Sequence, residues 1–326
     1  MNILITGGTG FIGTPLAREL RKSGHTVIVT TRRPSDSKDK LTWNPPQLIP
    51  PDVISQFDAI INLAGEPIAP GRWTKEKKER ILSSRINTTR TLIESIKQIP
   101  LNPPLEKGKT SDIPLFEKEG QGEILKRSGS GRVLISASAV GYYGAHGDEF
   151  VTEDMLPADD FLAGVCKQWE AEALKAQGFN VRVVLIRIGG VLESDGGALP
   201  QMIIPFKLYM GGPIGSGRQW FSWIHRDDVV GIMKYALEHE DISGPVNATA
   251  PNPVTNKEFS DVLGSVLHRP SFLAVPGFIV EMALGELGSV LLTGQRVLPD
   301  KVLNAGYQFK YTDVHNALQA IFEGKK

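Results

Sequence analysis

An α/β fold, a parallel sheet wound with helices on both faces, is what this sequence predicts, and three observations predict it. The first apolar strand runs straight into a glycine-spaced turn and then an amphipathic segment. Further apolar, β-branched runs alternate with helical stretches along much of the chain. The 326 residues are 41% hydrophobic, enough for one large domain or two modest ones around a substantial core.

Element by element, residues 2–6 (NILIT) read as the first strand and residues 11–23 as an amphipathic helix that Gly24 stops. Residues 26–31 (TVIVTT) form the second strand, and 58–63 (DAIINL) a strand of the buried type. A helix spans about 74–97, opening with Lys and Glu before it turns amphipathic. Residues 132–136 (RVLIS) make the next strand. Residues 159–177 make a helix with an Asp N-cap and Gly178 beyond its end, and 181–187 (VRVVLIR) another strand. Crossovers in such a sheet are right-handed. Residues 100–131 break the rhythm with Asn102-Pro103-Pro104, scattered Lys, Glu and Gly, and Ser128-Gly129-Ser130-Gly131. They predict an exposed, partly disordered insertion where a short loop would suffice.

From Gly189 the texture changes. Residues 189–217 are rich in Gly and Pro, with Met202, Ile203, Ile204, Phe206 and Leu208 between them. Helices are expected over 229–237, 257–267, 278–291 and 314–322, and a short strand over 245–250. Residues 1–188 and 226–250 are assigned to a nucleotide-binding domain that carries the 100–131 insertion. Residues 189–225 and 251–326 are assigned to a smaller substrate lobe over the carboxyl ends of the strands.

Gly7-x-x-Gly10-x-x-Gly13 sits between the first strand and the first helix, the context in which such a triplet cradles a pyrophosphate. Backbone N–H groups approach the phosphates, whose charge suits a helix N-terminus. Gly7, Thr9, Gly10, Phe11, Ile12 and Gly13 are therefore candidate cofactor contacts. In NAD-binding units an acid at the end of the second strand takes the ribose 2′-hydroxyl. Here the run is Thr30-Thr31-Arg32-Arg33, without an acid, and a guanidinium pairs with a 2′-phosphate that a carboxylate would repel. NADP is the expected cofactor.

Lys+Arg and Asp+Glu both number 36, so nucleic acid and acidic membranes are not expected partners. The single cysteine, Cys166, allows no internal disulfide, and no Cys/His cluster has metal-ligand spacing, so no metal is expected. The amino terminus shows no basic leader, and no apolar run reaches the roughly 18–20 residues of a membrane span. The expectation is a cytoplasmic protein with a small-molecule substrate.

Several runs together resemble the extended short-chain dehydrogenase/reductases. They are Thr6-Gly7-Gly8-Thr9-Gly10-Phe11-Ile12-Gly13, Asn62-Leu63-Ala64-Gly65, Asn87 with Thr91, Ser136-Ala137-Ser138-Ala139-Val140-Gly141-Tyr142-Tyr143-Gly144, and Trp223-Ile224-His225-Arg226-Asp227-Asp228. Glu66, Ser84-Arg85, Trp169-Glu170, the 211–217 glycine loop and Gly294-Gln295-Arg296-Val297 narrow the likeness. They point to an atypical, nucleotide-sugar-epimerase-like branch sometimes labelled cell-division-inhibitor-like. The resemblance implies a Rossmann-type doubly wound sheet. It implies Thr31, Arg32 and Arg33 at the ribose phosphate, and Leu63, Ala64 and Gly65 beside the adenosine–phosphate half. Arg85 and Ser136 are expected near the cofactor. Ser138 is the implied catalytic serine and Lys167 the lysine that holds the nicotinamide ribose.

The same resemblance exposes a gap. Reductases of this type use Tyr-x-x-x-Lys, the lysine lowering the phenol pKa for proton transfer. Four residues before Lys167 stands Ala163, and no tyrosine in the chain has a lysine four positions on. Tyr142 and Tyr143 are the candidate replacements, with His146 and Glu149 nearby; packing of the strand-end loop is the competing role for both tyrosines. His225 with Asp227-Asp228 reads either as an oriented base or, more favourably, as an acid pair capping the following helix. Trp220, Phe221 and Trp223 line a pocket or pack the lobe junction, and Cys166 reads as a buried, inert thiol. Two functions follow. The first is an NADP-dependent oxidoreductase or epimerase-like enzyme acting on a small polar or sugar-like substrate. The second is a catalytically silent NADP(H)-binding regulator or scaffold. The chain is expected as a monomer or a homodimer paired through the 74–97 and 159–177 helices.

Overall fold

Ile3, Leu4 and Ile5 of the first strand, β1 (Asn2–Thr6), are wholly enclosed, because both faces of the sheet they sit in are covered. The structure, a computed structural model, describes residues 1–69, 71–99 and 131–323. After β1 come α1 (Gly13–Lys22), β2 (Thr26–Thr31), β3 (Lys40–Thr42), α2 (Pro51–Ile54), β4 (Ala59–Asn62), α3 (Lys75–Lys97) and β5 (Arg132–Ala139). A single 3₁₀ turn, Val140–Tyr142, leads to β6 (Phe150–Val151), α4 (Phe161–Leu174), β7 (Val181–Ile188) and β8 (Gly190–Leu192). Then follow α5 (Leu199–Lys207), β9 (Trp220–Phe221), β10 (Trp223–His225), α6 (Arg226–Glu238), β11 (Gly244–Ala248) and β12 (Val254–Thr255). The chain closes with α7 (Asn256–Leu267), α8 (Gly277–Leu284), α9 (Glu286–Leu291), β13 (Arg296–Val297), α10 (Asp300–Asn304) and α11 (Val314–Glu323).

Seven strands pair in the order β11-β7-β5-β4-β1-β2-β3, all parallel. The winding reverses between β1 and β4, and a crevice at such a switch point is where doubly wound sheets bind ligands. Side-chain alternation divides the core. Ile3, Ile5, Val27 and Val29 face α1 and α6, while Leu4, Ile28, Ile60 and Leu134 face α2, α3 and the end of α4. A smaller cluster joins α5, α7 and α11 around Phe206, Trp223, Phe259 and Leu318.

The expected strands and helices of the first half recur, β5 and β7 longer and α1, β4 and α4 shorter than expected, and the short β3, α2 and β6 are additional. β5 runs to Ala139 rather than Ser136, so Ser138 is a strand residue. One expectation is corrected: residues 278–291 are not one helix but α8 and α9. Gly285 breaks them at φ +61°, a conformation that ends the right-handed path. α5 lies in a stretch read as irregular. Its Pro200 occupies the first turn, where a missing N–H costs nothing, and Pro205 obscured the pattern further. The predicted insertion lies, for residues 100–130, outside the described residues.

Candidate functional site

β1 ends at Thr6, and Gly7 follows at φ +70° with its backbone pressed against the start of the β4 exit. A Cβ there would stand 2.8 Å from the Leu63 carbonyl carbon. A Cβ on Gly13 would stand 2.3 Å from the Gly7 oxygen, so α1 packs against the turn at a distance only glycine permits. Gly10 N–H donates to Gly7 O at 3.0 Å and closes the turn. Thr9 and Gly10 are exposed, Phe11 and Ile12 half-buried. α1 begins with no side-chain cap and no acid in its first turn, leaving its N–H groups directed at the crevice.

The neighbouring strand ends frame this loop. Thr31 Oγ1 accepts from Arg33 N–H at 3.2 Å, and Asn44 donates to Arg32 O at 3.2 Å, so the backbone is held while both guanidiniums stay exposed. Neither is ion-paired among the described residues. On the other side, Leu63 N–H donates to Thr6 O at 3.0 Å. Arg85 reaches from α3 under Gly65, donating to Glu66 O at 2.9 Å and Ile81 O at 3.0 Å. Burial pulls its guanidinium below the usual arginine range. Arg85 thus props the β4 exit loop. Beneath it, Asn62 accepts from Thr6 Oγ1 at 2.7 Å and donates to Thr89 at 2.9 Å. Ser136 Oγ stands 3.5 Å from the same amide.

At the end of β5 lies a buried ionic network. Ser138 Oγ donates to Glu170 Oε1 at 2.6 Å. Arg187, opposite Ser138 in the β5–β7 register, grips Glu170 with two bonds of 2.9 Å. Its third arm donates to Tyr143 Oη at 2.9 Å and Glu153 O at 3.2 Å. Burial works against the Arg187 charge, and the Glu170 carboxylate outweighs it, holding the guanidinium above its usual range. Tyr143 is 1% exposed and donates to Asn247 at 2.7 Å; burial pushes its phenol up to about 12 despite Arg187 beside it. Tyr142 is half-buried, its ring stacked 3.5 Å from the Arg187 guanidinium carbon. The two tyrosines are therefore unlike: Tyr143 is tied into the interior, and Tyr142 covers the network from above.

Lys167 does not join Ser138. Its side chain is 47% exposed and its Nζ lies 3.8 Å from Asp159 on the solvent side of α4. The α4 side chains that meet the end of β5 are Leu162 against Gly141, Cys166 with Sγ 3.7 Å from Ala139 O, and Glu170. These are four apart, one face of a helix; a shift of one residue turns Lys167 roughly 100° away. Burial pushes the Cys166 thiol up to about 11. Glu170, Arg187, Glu153 and Asn247 were not singled out as site residues by sequence. The available signal was Arg187 between Ile186 and Ile188, in a strand apolar apart from it and Arg182 near the start, since a fully buried arginine demands a partner.

His225 is itself the cap of α6: its Nδ1 accepts from Asp227 N–H at 3.0 Å, and burial lowers its pKa. The expected acid-pair cap is thus corrected. Asp228 instead accepts from Lys310 N–H at 2.7 Å and Tyr311 N–H at 3.0 Å, tying down the carboxyl-terminal segment. Trp223 is core, Phe221 packs edge-on against Phe259, and Trp220 stacks on Arg296. The 294–297 segment crosses back to the site. Gln295 donates to Val140 O at 2.9 Å, and β13 pairs with β6. His146 N–H donates to Gly294 O, and its ring pairs with Glu149 at 2.6 Å. Among the described residues no group of His, Cys, Asp and Glu is arranged to hold a metal ion, and no helix is long and apolar enough to cross a membrane.

The chain is similar to known proteins. A family model described as NAD dependent epimerase/dehydratase matches residues 3–248, and one described as a domain of unknown function, DUF1731, matches residues 275–321. The epimerase family protein YfhF of Bacillus subtilis is 39% identical, the match covering 100% of this chain and 99% of the relative. The chloroplastic SDR39U1 homolog of Arabidopsis thaliana, also an epimerase family protein, is 42% identical over 99% of this chain and 87% of its own. The crystal structure of human epimerase family protein SDR39U1 (isoform 2) with NADPH superposes at a TM-score of 0.82. It is 34% identical, with 99% of each chain covered. This chain belongs to the NAD dependent epimerase/dehydratase family.

Proposed function

We propose that this protein binds NADP(H) and is an oxidoreductase or epimerase-like enzyme acting on a small polar or sugar-like substrate. The observation that carries the reading is the glycine cradle with unpaired guanidiniums at the end of β2. A Cβ at Gly7 would strike the Leu63 backbone and one at Gly13 the Gly7 carbonyl oxygen, so only glycine lets this tight turn close in front of α1, which presents an uncapped N-terminus suited to a pyrophosphate. Arg32 and Arg33 stand where a carboxylate would select the unphosphorylated ribose. The human relative with NADPH supports the same choice. When bound, the nicotinamide supplies the hydride donor or acceptor.

The residues divide the remaining work. Leu63, Ala64 and Gly65, propped by Arg85, flank the adenosine–phosphate half, with Thr31 below the ribose. Ser138 gives its proton to Glu170, so toward the crevice its oxygen accepts, orienting a substrate hydroxyl. Tyr142, with no hydrogen bond to its phenol among the described residues, exchanges the proton at the substrate oxygen. Arg187 beneath its ring holds Tyr142 in position, whereas Lys167 lies out on the solvent face. A second reading, a catalytically silent NADP(H)-binding regulator, is favoured by one observation: the α4 stripe facing Ser138 carries Leu162 and Cys166, neither suited to exchanging a proton at neutral pH.

Turnover decides between them. NADPH oxidation against a panel of sugars, quinones and aldehydes is expected to show a substrate. Tyr142→Phe and Ser138→Ala are each expected to cut the rate by about a hundredfold or more. Tight NADPH binding with no turnover across the panel selects the regulator.

A further inference from the structure

Beside the phosphate loop the small lobe lays a second wall that the cofactor reading does not require. β8 and β10 run parallel, pairing Ile224 with Val191 and His225 with Leu192. The register delivers Arg226, the first residue of α6, next to Glu193. Arg226 Nη2 bonds Glu193 Oε2 at 3.0 Å, and its other arm takes Asp195. Glu193 also accepts from Ser194 N–H at 2.8 Å and Ser194 Oγ at 3.1 Å, so the loop is folded around its own carboxylate. The Arg226 guanidinium lies 5.0 Å from the Phe11 ring, and Phe11 belongs to the phosphate loop itself.

The contact has a second half. Gly196 and Gly197 pass directly over the Phe11 ring. A Cβ on Gly196 would stand 2.4 Å from Phe11 Cδ2, and one on Gly197 3.2 Å from Cε1. Gly197 holds φ +71°, and a Cβ there would stand 2.7 Å from the Val191 carbonyl oxygen. Two consecutive glycines therefore let the backbone lie flat on the ring of a phosphate-loop residue. The ion pairs of Arg226 keep it there.

We infer that residues 193–198 are a strap over the phosphate half of the cofactor crevice and that Arg226 is the positioning residue that latches it. The inference rests on the NADP(H) reading of the site. Arg226 does not touch the cofactor in this account. It fixes the strap, the strap fixes Phe11, and Phe11 fixes the turn whose N–H groups receive the phosphates. Release of the dinucleotide then requires the latch to open.

The experiment is stopped-flow dissociation of NADPH, read by nicotinamide fluorescence, alongside thermal unfolding of the cofactor-free proteins. Asp195 is largely exposed, so Asp195→Asn breaks one arm without disturbing the core. It is expected to raise the dissociation rate about twofold to fivefold. Gly196→Ala, which must push the ring aside, is expected to raise it about tenfold. Association rates stay at the wild-type value, and Arg226→Lys recovers part of what Arg226→Gln loses. Dissociation at the wild-type rate in Asp195→Asn and Gly196→Ala overturns the strap while leaving the cofactor reading intact. A rise in rate matched by an equal rise after a core substitution on the other face of the sheet, such as Leu134→Ala, also overturns it. Wild-type protein that binds no NADPH overturns the cofactor reading first and the strap with it.

Discussion

Arg187 is the residue on which the site's electrostatics turn. It lies near the carboxyl end of β7, and the Glu170 carboxylate, the Tyr143 and Glu153 oxygens and the Tyr142 ring make its burial tolerable. Glu170→Gln keeps the shape but removes the counter-charge. It is expected to cost about 3–5 kcal/mol in urea unfolding, because an uncompensated guanidinium remains inside; a loss under about 1 kcal/mol would show that the network is slack. Ser138 was singled out through the resemblance of the 136–144 run, while the strand itself was read as ending two residues earlier, at Ser136. Lys167 was misplaced for a physical reason: α4 is apolar on most sides, with Phe161, Leu162, Val165 and Trp169 close together, so its inward face has no sharp periodic signal. Burial of Cys166, Trp169 and Glu170 sets that phase, and burial is a tertiary property.

Among elements, the strand–turn–helix at the amino terminus was the most legible, since its demands are local. Glycine is needed where φ is positive or where backbone meets backbone, and those positions are Gly7 and Gly13. Gly13→Ala places a methyl 2.3 Å from the Gly7 oxygen and opens the turn. NADPH affinity is expected to fall about tenfold or more by fluorescence titration, with a lower melting temperature; unchanged affinity would remove the cradle from the account. The elements that sequence obscured were those whose signals conflict. α5 carries prolines within an apolar stretch. α8 and α9 share one apolar pattern that a single glycine divides. The cap of α6 was read onto two acids because Asp usually caps. Here the histidine ring takes that place, and Asp228 is spent on Lys310 and Tyr311.

For the whole molecule, alternation of strands and helices foretold a parallel doubly wound sheet. It did not foretell which distant segments return to the crevice. Gln295 on Val140, β13 beside β6, and Arg226 on the 193–198 loop are contacts between segments far apart in the chain, and no local periodicity encodes them. The central claim is nonetheless a whole-molecule one: the crevice at the β1–β4 switch holds a dinucleotide bearing a 2′-phosphate. Calorimetric titration of the full chain with NADPH and NADH tests it most directly, repeated on Arg32→Ala. The account predicts NADPH binding tighter than NADH by about tenfold or more, a preference that Arg32→Ala erases by weakening NADPH alone. Equal affinity for the two coenzymes, or no heat from either, would contradict it.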